Sequence, residues 1–153
     1  MCATELQSAF LFRMVLDLAP PHLVGDTGHG RRQVLHNTGG WFEGPRMRGA
    51  VLPHGADWLM HRPDGVSEVD VRVLLRTDDD ALIYMRSSGL FHYPRENARR
   101  VLSGEAAPDE YYLRDVSFFE TGSEEYSWLN RVMAVGVGTY RKDAVEVEFY
   151  EVL

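Results

Sequence analysis

With 153 residues the chain has the length of one domain and can bury a sizeable core, and its 44% apolar and 25% charged residues are ordinary for a soluble globular protein. Its 16 Lys+Arg against 23 Asp+Glu give a formal charge of −7, the opposite of the basic footprint with which nucleic-acid binders release counterions, and an acidic membrane surface would repel it too. No stretch approaches the ~20 apolar residues of a membrane helix, so neither nucleic acid nor membrane is an expected partner.

The opening MCATELQSAF has no basic segment followed by a long apolar core, so no signal peptide is expected and a reducing cytoplasm is the simplest location. Cys2 is the only cysteine, which excludes an internal disulfide and a cysteine-based zinc site. From there a period of two dominates. Phe10, Phe12, Met14, Leu16 and Leu18 alternate with Leu11, Arg13, Val15 and Asp17, which predicts a strand over about 8–18. The Gly-rich segment Gly25–Gly30 reads as a loop before the second strand. GDTGHGRR lacks both the Gly-Lys-Ser/Thr and the strand-loop-helix context of a phosphate loop.

Further strands are predicted over about 30–37, 40–52, 56–62, 66–77 and 80–87. Pro53-His54-Gly55, Pro63-Asp64-Gly65 and Thr77-Asp78-Asp79-Asp80 supply turn chemistry between them. Asp78–Asp80 lacks the alternating ligands and distant Glu of a calcium loop. After Pro94, RENARRVLSGE predicts a short helix stopped by Gly104. Thr121 and Glu124 fit a capping box leading into a second helical turn, EEYSWLNR. Strands over about 110–121, 131–141 and 144–152 complete the chain. The sum is an all-β fold: a single antiparallel barrel of about eight to nine strands with two short helical insertions, spanning residues 1–153.

Several side chains have the chemistry of a site. Asp57, beside the indole of Trp58, would have its charged form disfavoured in a poorly solvated place, which suits proton transfer near neutrality; capping of the Pro-His-Gly turn is the alternative. Asp70 and Arg72 share one face of their strand, looking either at water as a surface pair or into a polar lumen as a carboxylate held by an arginine. Arg72 could stabilise a developing enolate oxygen, with Tyr84 as donor to a carbonyl. Tyr84 and Arg86 share a face of the next strand, where Tyr84 could equally be structural. Tyr126 and Asn130, four apart, would share a helical face, and with Trp128 they would either plug one barrel end or line its mouth. Arg46, Trp58, Arg86, Tyr126, Trp128 and Asn130 make the expected substrate-binding set. The six histidines contain no HxH or HExxH spacing, and neither metal nor cofactor is expected.

Gly39-Gly40, Gly44-Pro45-Arg46, Gly49, Gly55-Ala56-Asp57-Trp58, Asp70-Val71-Arg72, Thr77–Asp80, Gly89, Tyr111-Tyr112, Phe119-Glu120-Thr121 and Tyr126–Asn130 occur in an order and spacing that resembles the family known as domain of unknown function 3237. Asp80 departs from the glycine frequent there. The resemblance implies a small barrel similar to the allene-oxide-cyclase and dirigent group, whose barrels bind apolar, oxygenated small molecules and are frequently oligomers. Where barrels of that group are enzymes, the resemblance implies cyclisation or isomerisation without a cofactor, and the expected function is a cofactor-independent isomerase or cyclase; on the reading of the residues, Asp57 or Asp70 would move a proton beside a carbonyl. The alternatives are a non-catalytic carrier and a lactone or ester hydrolase. A homo-oligomer, a dimer in the simplest case, is expected.

Overall fold

The computed structural model describes residues 5–153; Cys2 lies outside them. Ten strands form: β1 (Ser8–Leu18), β2 (His22–Asp26), β3 (Arg31–Glu43), β4 (Arg48–Val51), β5 (Ala56–His61), β6 (Ser67–Thr77), β7 (Leu82–His92), β8 (Tyr112–Glu120), β9 (Met133–Tyr140) and β10 (Ala144–Val152). One helix, α1 (Ala98–Ser103), lies between β7 and β8.

Every pairing is antiparallel, and β1 pairs both β10 and β3, which closes the sheet on itself. Around the barrel the order is β1, β10, β9, β8, β7, β6, then β4 and β5 sharing one position, then β3. Eight strand positions therefore close the barrel, with β2 as an added strand on the first half of β3. Closure removes the unpaired edges of those eight positions, which invite aggregation, and leaves β2, paired to β3, as the edge strand.

The expected strands at about 30–37 and 40–52 are one continuous strand, β3, followed by a corner and the short β4. The glycine pair inside β3 is why. Gly40 sits at φ +145°, and a Cβ there would lie 2.0 Å from the Val15 carbonyl oxygen, so β1 can cross it only without a side chain. The strand β2 was not expected, because Pro20-Pro21 and Gly25 flank a run whose Leu23 and Val24 stay exposed. The anticipated turn at Thr77–Asp80 forms, and Asp80 holds φ +74°, a conformation in which glycine is strain-free.

The inward face packs in two layers. At one end Phe12, Phe42, Phe119 and Phe149 interlock, with Phe12 and Phe149 centroids 4.8 Å apart, and Leu75, Ile83 and Met85 fill between them. A 3-10 turn, Ser127–Arg131, caps this end by burying Leu129 completely. At the other end α1 buries Val101 against Leu59, Phe91, Tyr111 and Leu113. Gly104, at φ +80°, ends α1 by donating its N–H to Arg100 and Val101 carbonyls, as the sequence predicts.

Candidate active site

Between the two packed layers the barrel keeps a cavity of about 490 Å³. The pleat of each strand decides what enters it. Val69 and Val71 of β6, Phe91 of β7, Leu113 of β8, Val145 and Val147 of β10, and Met14 and Leu16 of β1 supply an apolar wall. Three polar side chains interrupt that wall at depth: Asp57, Ser87 and Asp115. Gln33, His61, Tyr140, Lys142 and Asp143 also line the cavity, with Pro20, Pro21 and Leu102.

Asp57 enters the lumen because β5 alternates: Asp57, Leu59 and His61 point in, and Trp58 points out. Its Oδ1 accepts the backbone N–H of Asp70 at 3.0 Å. Burial pushes the Asp57 carboxyl up to about 7; the Asp70 amide opposes this, and the charges of Asp70 and Asp115 add to it.

Asp115 sits in the middle of β8, between two glycines on the neighbouring strands, Gly89 and Gly136. A Cβ at Gly136 would stand 2.3 Å from Asp115 Oδ1, and one at Gly89 2.6 Å from its Cβ. The bare backbone on both sides is the space in which this carboxyl fits. Burial raises Asp115 to about 6, against hydrogen bonds from Ser117 and the Gly136 backbone that lower it. Ser117 Oγ donates to Asp115 Oδ1 at 3.3 Å and lies 2.7 Å from Ser87 Oγ. At the rim, His61 Nδ1 lies 2.7 Å from Ser67 Oγ, and burial holds the imidazole below its ordinary range.

Of the residues anticipated as catalytic, only Asp57 faces the lumen. Asp70 and Arg72 lie on the barrel exterior, each about half exposed, with Arg72 Nε 3.7 Å from Asp70 Oδ1. The valines of β6 take the inward places, so the strand's polar face looks at water. Tyr84 and Arg86 point outward for the same reason: Tyr84 joins a surface groove with Leu74 and Leu82, and the Arg86 guanidinium lies 4.6 Å over the Phe118 ring. Trp58 is also outside, its carbonyl accepting Arg32 at 2.5 Å.

The expected pocket around Tyr126, Trp128 and Asn130 is instead the closed end of the barrel. Tyr126 is buried and donates to Asp79 at 2.8 Å; Trp128 packs under Arg46, 3.5 Å from its ring centre. Asn130 brackets Thr121, accepting its N–H at 2.8 Å and donating to its carbonyl at 2.9 Å. The predicted capping box is not made: Thr121 Oγ1 accepts the Ser123 N–H at 3.2 Å in place of that of Glu124, and donates to the Leu82 carbonyl at 2.7 Å. Among the described residues no group of three His, Cys, Asp or Glu side chains is placed to hold a metal. No helix of theirs is long and apolar enough to cross a membrane.

Asp115 and Ser117 escaped the sequence reading, and Ser87 has no motif around it that marks a nucleophile. The signal was present in LRDVSFF: Leu113, Asp115, Ser117 and Phe119 occupy one strand face, with two polar groups set between apolar ones.

The family described as Protein of unknown function (DUF3237) matches residues 6–152. The chain belongs to that family. It is 31% identical to the UPF0311 protein RPA1785 of Rhodopseudomonas palustris over 97% of each chain. The crystal structure of RPA1785 superposes with a TM-score of 0.92, covering 99% of this chain and 100% of that one. A β-barrel-like protein of Acinetobacter baumannii, 35% identical, superposes over 99% of both chains with a TM-score of 0.87. A more distant relative, 26% identical over 94% of this chain and 81% of its own, is the hydroalkoxylation enzyme phnH of Penicillium herquei.

Proposed function

We propose that this barrel is an enzyme that cyclises or isomerises an oxygenated, partly apolar metabolite in its lumen by acid–base chemistry. The observation that carries this reading is a pair of carboxyls, Asp57 and Asp115, held in one largely apolar cavity and raised to about 7 and about 6. Two acids whose environments separate their titrations divide the roles of acid and base between them. The charge of Asp115 is among the influences that raise Asp57, so Asp115 is the first of the pair to ionise and Asp57 keeps its proton. Asp57 is then the general acid and Asp115 the general base.

Hydroalkoxylation, the activity in the name of the Penicillium relative, is the addition of an alcohol O–H across a C=C bond. The pair can run this step without other groups. The Asp57 O–H bond breaks and gives its proton to one alkene carbon. The hydroxyl oxygen bonds to the other carbon and loses its proton to Asp115. Return of that proton to Asp57 resets the site, so the reaction is net neutral. An isomerisation beside a carbonyl uses the same two transfers, with Asp115 removing a proton and Asp57 supplying one.

The test is ring closure of 2-prenylphenol, followed by chromatography. The wild type is expected to close the ring. Asp57→Asn and Asp115→Asn should each lose about 100-fold or more, the usual share of general acid–base catalysis. Arg72→Ala, on the outer wall, should turn over normally. Wild-type rates in both aspartate variants would refute the assignment.

A further inference from the structure

The hydroxyls beside Asp115 form a chain whose direction is fixed by donor and acceptor counting. An ionised carboxylate only accepts hydrogen bonds. The single proton of Ser117 is therefore committed to Asp115 Oδ1, 3.3 Å away. The contact of 2.7 Å between Ser117 Oγ and Ser87 Oγ must then carry the proton of Ser87. Ser117 is fully buried and cannot exchange that role with water, whereas Ser87 lines the cavity. With its one proton spent, Ser87 offers the lumen only lone pairs.

We infer that Ser87 is the lumen-facing end of a proton relay, Ser87 to Ser117 to Asp115, and that it selects substrates carrying a hydroxyl that donates to it. This rests on the lumen being the substrate site and specifies which group of the substrate meets the base. The step balances. The substrate O–H breaks and its proton goes to Ser87 Oγ; the Ser87 proton moves to Ser117 and the Ser117 proton to Asp115. A substrate oxyanion and a neutral Asp115 result. Reversal of the chain after protonation turns Ser87 into a donor, able to return the proton. Asp115 acts on the substrate through this chain, which explains why the sheet spends two buried serines on one face of an otherwise apolar wall.

The strand register adds a spatial constraint. Asp57 pairs with Val71, Val71 with Ser87, and Ser87 with Ser117. Asp57 and Ser87 therefore stand two strand spacings apart on one row, on the order of 10 Å along the wall. Val71 fills the row between them. A substrate spanning this row presents its hydroxyl to Ser87 and its proton-accepting carbon to Asp57, with an apolar body over Val71.

Two measurements test the relay without knowledge of the natural substrate. The first is 13C NMR titration of labelled aspartates, assigned with Asp57→Asn and Asp115→Asn. Asp57, which feels the charge of Asp115, shares the cavity with it, as do His61, Tyr140, Lys142 and Asp143, and the Asp57 midpoint is followed in the same spectra. In Ser87→Ala the Asp115 midpoint should rise, because the Ser117 hydroxyl loses the donor that polarises it. Ser117→Ala should raise it further and serves if Ser87→Ala does not fold. The second compares binding of 2-naphthol and 2-methoxynaphthalene, which differ in the donated proton. The wild type should prefer the naphthol by roughly 3- to 10-fold, the value of one hydrogen bond. Ser87→Ala should bind both alike. An Asp115 midpoint unmoved by both serine variants would overturn the relay, as would a wild type without preference for the hydroxyl. Failure of the acid–base pair reads separately, as wild-type midpoints for Asp57 and Asp115 at the ordinary aspartate value.

Discussion

At the scale of single residues, Asp57 and Asp115 are costs to the fold that only a site justifies. The folded pKa of Asp57, about 7, lies above its ordinary value of 3.8. A carboxyl raised in this way contributes stability that is fully present below about pH 3.8 and is lost as pH climbs through about 7. At 1.36 kcal/mol per unit, that loss is on the order of 4 kcal/mol. Asp57→Asn cannot ionise, so it should be a few kcal/mol more stable than wild type at pH 8 and close to it at pH 4. Denaturant unfolding at both pH values reads this, and a variant equally destabilised at both would show that the carboxyl is not desolvated. Gly136 belongs to the same argument. Removing a strand glycine usually gains stability, because glycine loses most freedom on folding. Here an added methyl meets Asp115 Oδ1 at 2.3 Å, so Gly136→Ala should instead cost roughly 1–3 kcal/mol.

At the scale of elements, the pleat divided what was legible from what was not. The alternation along β6 read directly as a strand, and its observed span, Ser67–Thr77, lies within the expected one. The same alternation could not say which of its two faces looked inward. Asp70 and Arg72 carried more chemistry than the valines beside them, yet the valines line the cavity because eight strands closing on a lumen must bury their apolar faces. Asp57 was legible as a candidate because Gly55-Ala56 and Trp58 marked it. Asp115 was not, since its pocket is made by glycines on two other strands, Gly89 and Gly136, far away in the chain. The turn Ser127–Arg131 was legible as helical but not as a plug, since that depends on Leu129 joining the buried cluster that the phenylalanines of four strands build. Leu129→Ala should lower stability by about 2–5 kcal/mol and leave the Asp57 and Asp115 titrations in place. A loss below about 0.5 kcal/mol, the scale of surface substitutions, would mean that the turn does not seal the barrel.

At the scale of the whole molecule, the barrel is a container with one end packed solid and a cavity beside the other. Its outer charges, including the Asp70–Arg72 pair, add little to stability where water screens them. Its inner carboxyls set the working pH. As pH rises through about 6 the base Asp115 ionises and activity should climb; as it rises through about 7 the acid Asp57 loses its proton and activity should fall. The expected kcat/KM profile is a bell, and its two limbs belong to the pair because each charge shifts the other. Asp115→Asn should flatten the rising limb. A profile that climbs steadily into the alkaline range would mean that the proton donor is not Asp57.

The measurement that tests the central claim most directly is 13C NMR titration of the aspartates in the unliganded wild type. Two carboxyls, those abolished by Asp57→Asn and Asp115→Asn, are expected to titrate at about 7 and about 6. Midpoints for both at the ordinary value of 3.8 would mean that water solvates the cavity freely, and the lumen would then hold no acid–base pair.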